Sequence, residues 1–293
     1  MDLLSKFDAV AAEPDSQITA QDKAFCAAHQ AAYDAARASL EKLILSWEEI
    51  QAEQQAALDC TGSSPDRYLT SDSLRISIPA IREQIVSLHT KLIHDLVRYF
   101  NVTYHISVQA HSIEENLLPP KPDWYSSSSE QKDEYKQQLQ NFSLHSGQIV
   151  EQIFAQLDGR SLWEQALHEL KSNCHRAAWN TYRGESEFIL NKNVIRFSYG
   201  CSYESCYPIW RLTDEMKIIL RGLAHYETGN FDVTPTSFSP LLGYNHIGAE
   251  IVPFPDCQKV SKLRMFKNHR VDLTFVNECS ARGFVEGYLG LVC

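Results

Sequence analysis

The twelve residues from Lys259 to Arg270 hold Lys259, Lys262, Arg264, Lys267, His269 and Arg270, and no acid. Cations at that density bind phosphate or carboxylate groups, and Asn268 adds a side chain that both donates and accepts hydrogen bonds. Alternation along a strand puts Lys262 and Arg264 on one face and Leu263 and Met265 on the other. Lys267, His269 and Arg270 then crowd a turn. A solvated edge hairpin whose charges discourage strand-to-strand association has the same pattern. Upstream, Tyr199, Tyr203, Tyr207 and Trp210 fall close together and are candidate aromatic anchors for a base or a partner side chain. Tyrosines at the rim of a β core give the same composition.

The other reactive residue types do not converge. Cys201 and Cys206 enclose four residues, but Cys257, Cys279, Cys174 and His175 do not supply a suitably spaced second zinc pair. His89 and His94 are five apart, so on a helix they point to different faces, unlike the i, i+4 pair of a helix-borne metal site. His105 and His111 follow without an accompanying carboxylate pattern. Glu185 and Glu187 would share one face of a strand, a weak pointer to a nuclease-like site. The adjacent pairs Glu48–Glu49 and Glu114–Glu115 diverge by about 100° on a helix. There is no G-x-S-x-G elbow and no Walker or Rossmann glycine pattern. The sequence therefore predicts no catalytic residue, no metal ligand set and no cofactor.

Charge separates the chain into two parts. The 293 residues carry a formal net charge of −10. Residues 1–160 hold 23 acids and 13 bases, and residues 161–293 hold 14 of each. An acidic surface repels a phosphate backbone and suits a basic protein partner or imitation of nucleic-acid charge; it is also what a solvated helical face looks like. At 44% hydrophobic and 22% charged, the chain has the composition of a globular protein with a sizeable core. No stretch approaches the ~20 apolar residues of a membrane span, and the opening residues lack a basic stretch followed by an apolar run. A cytoplasmic protein with reduced, mostly buried thiols is expected.

Residues 17–59 predict one long helix, with Phe25, Ala28, Ala32, Leu40, Leu43, Ile44, Trp47 and Ile50 at helical spacing and Thr19 as N-cap. Pro79 suits the first turn of a second helix ending near Phe100, and the β-branched, alternating residues 101–108 predict a strand. A third helix is expected over 130–157 and a fourth over 162–180, the latter opened by a Ser161/Glu164 capping box. After Gly184 come strands at 187–190, 193–199 and 209–212, a helix over 214–226 capped by Thr213, an irregular Pro- and Gly-rich stretch over 230–257, and a closing β-β-α unit. The expected fold class is α+β: an N-terminal antiparallel helical hairpin or bundle, then a mixed α+β domain. The expected organisation is an acidic helical hairpin region (1–116), a Pro/Ser linker (117–129), a helical connector (130–183) and an α+β domain with the basic hairpin (184–293).

The closing segment resembles an uncharacterised C-terminal domain of phage, plasmid and integrative-element accessory proteins. The matching residues are Phe266-Lys267-Asn268, Val271-Asp272-Leu273-Thr274-Phe275 and Phe284-Val285-Glu286-Gly287-Tyr288-Leu289-Gly290. Tyr99-Phe100-Asn101-Val102-Thr103 is similar to the end of the helical region in such proteins. The family turn favours Gly after the Asn, where this chain has His269; a His at a positive-φ position costs strain or calls for another turn type. The resemblance implies a mobile-element accessory protein and no enzyme.

The expectation for function is a non-enzymatic accessory or anti-defence protein, anti-CRISPR included, that binds a nuclease or another nucleic-acid-handling effector by protein–protein docking. Its acidic helices would face a basic channel, and its basic hairpin an acidic patch or a phosphate. The alternatives are a nucleic-acid-binding module serving DNA modification or element maintenance, and a cryptic metal-dependent enzyme. No membrane partner is expected.

Overall fold

A computed structural model describes residues 18–59, 77–123, 125–180, 185–206, 208–243 and 247–290. The chain divides into two compact units, one through Leu162 and one from Trp163. The segment 117–129 thus lies inside the first unit. The division in sequence coincides with the change in charge balance.

The first unit is helical. Helix α1 spans Ala20–Asp59, about 60 Å at 1.5 Å per residue. Thr19 caps it: its hydroxyl accepts from the Asp22 N–H at 3.2 Å, and the Asp22 carboxylate accepts from the Thr19 N–H at 2.6 Å. Helix α2 spans Ile78–Tyr104, with Ser77 as N-cap and Pro79 in its first turn. Asp22 meets Tyr104, Tyr33 meets His89 and Glu48 meets Arg82. Partners that ascend one helix and descend the other make α1 and α2 an antiparallel hairpin. Helices α3 (Ala110–Leu117), α4 (Ser129–Asn141) and α5 (Ser146–Ala155) complete the unit around buried Leu92, Ile93, Leu96, Phe100, Ile149 and Ile153.

Two expectations for this unit are corrected. Residues 101–108 are not a strand: α2 runs on to Tyr104, and His105 closes it in the left-handed conformation (φ 56°) with its N–H on the Asn101 carbonyl. Burial of Phe100 and the bonds from Tyr99 and Tyr104 to Asp22 outweigh the β propensity of Val102 and Thr103. The Asn101 amide then pairs with both backbone groups of Val108, at 3.0 and 2.9 Å, and turns the chain. The helix expected over 130–157 is two helices. Between them α1 side chains occupy backbone groups: Arg37 donates to the Gln140 and Phe142 carbonyls, and Gln30 donates to the Leu144 carbonyl and accepts from the Ser146 N–H.

The second unit is α+β. Helix α6 (Leu162–Ala178) leads into strands β1 (Trp179–Asn180), β2 (Glu185–Ser186), β3 (Phe188–Asn191), β4 (Val194–Phe197), β5 (Cys201–Glu204) and β6 (Ile209–Leu212). Helix α7 (Asp214–Thr228) follows, its first turn held by the Thr213 hydroxyl accepting from the Met216 N–H at 3.2 Å. The stretch 230–257 contains a short 3-10 turn at Thr236–Phe238, helix α8 (Ser239–Gly243) and strand β7 (Ile251–Pro253). Strands β8 (Val260–Met265) and β9 (Val271–Phe275), helix α9 (Glu278–Phe284) and a π-helical turn (Val285–Leu289) close it. The main sheet is antiparallel in the order β3-β4-β9-β8-β7. Its inward residues Phe188, Ile195, Phe197, Leu263, Met265, Leu273 and Phe275 share one core with Ile219, Leu220 and Leu223 of α7 and Phe284 of α9. Fully burying each such side chain stabilises by about 1.5–3 kcal/mol. Gly290 ends the π turn at φ 79°, and a Cβ there would lie 2.4 Å from His175 Nδ1, so only glycine fits where the closing turn meets α6.

Candidate functional site

The basic residues predicted from sequence lie on and around the β8–β9 hairpin, and its tip explains the departure at residue 269. The His269 N–H bonds the Phe266 carbonyl at 2.9 Å, and the Phe266 N–H bonds the Arg270 carbonyl at 2.9 Å. His269 takes φ 71°. A tight turn followed by one left-handed residue is a three-residue hairpin loop, and its last position is where glycine is ordinarily chosen. Here tertiary contacts hold a histidine in that conformation. His269 Nδ1 meets the Cys201 carbonyl at 3.0 Å, and the His269 carbonyl accepts from the Gly200 and Cys201 N–H groups at 2.9 and 3.2 Å. The tip is therefore anchored to the start of β5.

The cations sit in different surroundings. Lys259 donates its ammonium to the Tyr226 carbonyl and lies over the Tyr226 ring, 4.4 Å from its centre, while the Lys259 N–H bonds Glu227. Lys262 is exposed on the outer face of β8. Arg264 pairs with Glu250 at 2.9 Å, and Arg270 lies 3.2 Å from Asp272. The Arg264 and Arg270 guanidinium groups also lie over the Phe266 ring, at 4.7 and 3.7 Å. Lys267 lies over Tyr203 at 4.7 Å, and Asn268 is exposed at the tip. Cation–ring contacts of this kind are worth about 0.5–1 kcal/mol at exposed sites.

Strand register brings in residues that spacing did not suggest. Ile189, Arg196, Asp272, Arg264 and Ile251 form one row across the sheet. Asp272 sits between Arg196, at 3.4 Å, and Arg270. Arg196, Lys262, Arg264 and Arg270 thus outnumber Asp272 and Glu250 on the outer face. The row is flanked by exposed Ile189 and Ile251. Such a face can contact an anionic group, provided that group competes with carboxylates already in place.

The aromatic candidates separate. Tyr199 is 70% exposed. Tyr203 is half-buried against Trp210 and under Lys267. Trp210 is a core residue at 4% exposure, which corrects the expectation that its ring is open to a partner. Tyr207 lies outside the described residues. Cys201 is buried and donates its S–H to the Phe266 and Arg270 carbonyls, whereas Cys206 is exposed. Burial raises the Cys201 pKa, so it is a packing thiol. His94 and His111 pair with Glu114 and Glu115. Among the described residues no group of three or more His, Cys, Asp or Glu side chains could hold a metal ion. No described helix is long and apolar enough to cross a membrane.

On the first unit, the later part of α1 presents both charge and apolar surface. Leu43, Leu45 and Ile50 are 45%, 61% and 41% exposed, beside exposed Glu41, Glu48, Glu49 and Glu53. Trp47 faces inward at 3%, and residues 52–56 are all exposed. Comparison with protein-family models, curated proteins and solved structures finds no match for this chain.

Proposed function

We propose that the protein is a non-enzymatic docking protein whose first unit binds a basic, partly apolar surface on another protein through α1. One observation carries the reading: Leu43, Leu45 and Ile50 are exposed on a helix segment where Glu41, Glu48, Glu49 and Glu53 outnumber the single cation Lys42. Large apolar side chains set among like charges favour a partner that supplies both apolar contact and the opposite charge. Nucleic-acid-handling effectors have basic channels of that chemistry. The mobile-element setting implied by the closing segment supplies a context for it, an anti-defence or anti-CRISPR role among them.

The sheet row Arg196–Asp272–Arg264 favours a second reading, direct contact with nucleic acid through the second unit. It ranks lower because Arg264 and Arg270 each face a carboxylate and also lie over the Phe266 ring, whereas of the four α1 acids Glu41 and Glu48 face Arg37 and Arg82 and the other two, Glu49 and Glu53, are exposed.

The test titrates full-length protein into a labelled amphipathic lysine–leucine peptide and, separately, a labelled DNA duplex at two salt concentrations. The peptide should bind. Binding should fall at least tenfold on joint replacement of Glu41, Glu48, Glu49 and Glu53 by Gln, and remain when Glu115, Glu130, Asp133 and Glu134 are neutralised instead. Equal losses in both variants would reduce the effect to net charge and refute the assignment to α1. Duplex binding that weakens steeply with salt would move the function to the sheet.

A further inference from the structure

His225 is a buried titratable side chain that the docking reading leaves without a task. It is 6% exposed on α7, and its Nε2 has no hydrogen-bond partner among the described residues. Its Nδ1 meets the Tyr288 hydroxyl at 2.7 Å, and the Phe231 ring lies 4.4 Å from its own. Tyr288 belongs to the π-helical turn Val285–Leu289, and turns of this kind are rare and recur at functional sites. Two clamps hold the turn. His225 ties Tyr288 to α7. The Leu289 carbonyl accepts from His175 Nδ1 at 2.9 Å and Trp179 Nε1 at 2.7 Å, which ties the turn to α6 and β1.

The two clamps respond differently to a proton. A carbonyl only accepts, so His175 Nδ1 already carries its hydrogen and protonation of that ring keeps the bond. Protonated His225 carries hydrogens on both nitrogens. Its Nε2–H then has no acceptor, and the Tyr288 hydroxyl must turn to accept from Nδ1. Burial holds the His225 pKa down, and the two charges that add to the effect are both positive: Lys171 of α6 and Lys259 before β8. Lys171 lies over the Tyr288 ring and Lys259 over the Tyr226 ring. Cys174, which packs against Gly222, and Tyr288 stay neutral, since burial pushes each up to about 12. Burial likewise raises the Tyr226 pKa. Glu227 accepts from the Gln258 and Lys259 N–H groups, and Asp232 and Glu286 are exposed. The Tyr288 ring packs on Tyr226 and Phe284, with centres 5.7 and 5.2 Å apart.

We infer that His225 is a proton-operated latch: the neutral ring holds the Val285–Leu289 turn against α7, and its protonation at mildly acidic pH releases Tyr288 and uncovers Tyr226 and Phe284 while the main sheet stays folded. The inference is independent of α1. A histidine that is neutral in the closed form and titrates near 6.5 in the open one raises the opening constant by up to about 25-fold between pH 7 and pH 5.

The experiment measures amide hydrogen exchange of isotope-labelled full-length protein by NMR at pH 7 and pH 5. Protection factors at residues 285–290 should fall at least about fivefold, and at pH 5 they should lie below those of residues 271–275, so that the turn opens without the sheet. His225→Gln keeps an acceptor for the Tyr288 hydroxyl but does not titrate, and it should lose most of the fall; His175→Gln should retain it. An unchanged turn, equal protection of turn and sheet at pH 5, or a fall that survives His225→Gln would each overturn the inference. Should that variant fail to fold, titration of the His225 ring in the wild type decides: a midpoint below 6.5 supports the latch, and one at 6.5 or above contradicts it.

Discussion

Asp22 is the sharpest point at which to test how the first unit holds together. Its side chain is 1% exposed and faces no cation among the described residues. Its Oδ2 accepts from the Thr19 N–H at 2.6 Å, the Thr19 hydroxyl at 2.7 Å and the Tyr104 hydroxyl at 2.6 Å, while Oδ1 accepts from the Tyr99 hydroxyl at 2.8 Å. The start of α1 is thereby tied to the end of α2. Burial alone would raise the pKa of this carboxyl, but the bonds from Tyr104, Thr19 and Tyr99 together outweigh it and hold the group below its ordinary value. Asp22→Asn keeps the shape but only one acceptor oxygen: set toward Thr19 and Tyr104 it keeps neutral versions of those bonds, while its NH2 meets Tyr99, whose hydroxyl must turn to accept; the loss is about 1 kcal/mol for each tyrosine bond, or about 2 kcal/mol in all. Asp22→Ala removes the acceptors and should cost about 3 kcal/mol. Urea unfolding followed by far-ultraviolet circular dichroism at neutral pH reads both. A depressed carboxyl pKa contributes stability that is present above the unfolded value and lost as pH falls through the folded one. The gap between wild type and Asp22→Asn should therefore narrow below about pH 4. An Asp22→Asn variant within about 0.5 kcal/mol of wild type at neutral pH would refute the claim that this carboxylate fastens the hairpin.

Further outcomes are expected. Burial holds both His89 and His225 below the ordinary imidazole pKa; the charge of Arg37 adds to the effect at His89, and those of Lys171 and Lys259 add at His225. The folded state thus binds fewer protons, so stability should be full above about pH 6.5 and fall as pH drops below it, by at most about 1.4 kcal/mol per pH unit for each site. The acid limb of a denaturation series measures it, and His89→Gln should flatten it. At the hairpin tip, His269→Ala keeps the left-handed backbone and loses the bond to the Cys201 carbonyl, costing about 1 kcal/mol. His269→Gly loses the same bond but relieves about 1 kcal/mol of backbone strain, so thermal unfolding should rank glycine above alanine. Gly222→Ala places a Cβ 2.3 Å from Cys174 Sγ and should lower stability by about 1–3 kcal/mol.

Long apolar periodicity was readable without the structure. Helices α1 and α7 lie close to where their spacing and their caps Thr19 and Thr213 place them, and β6 spans Ile209–Leu212 as expected. The errors fall where local preference met tertiary demand. Val102 and Thr103 favour a strand, yet Tyr104 extends the helix to reach Asp22. The break between α4 and α5 is held by Arg37 and Gln30, more than a hundred residues earlier in the chain. The hairpin cations were visible as a cluster, but their partners were not. Arg196 reaches Asp272 across 76 residues by strand register alone, and Glu250 reaches Arg264 from the residue before β7, inside a stretch expected to be irregular.

The central claim, that α1 is the docking element, is tested most directly by hydrogen exchange on the full chain with and without the lysine–leucine peptide. Residues 52–56 of α1 are exposed, so a bound partner that covers them should slow exchange there. The account predicts protection concentrated in residues 41–56 and unchanged exchange in residues 259–270. Protection of the β8–β9 hairpin with none on α1 would contradict it.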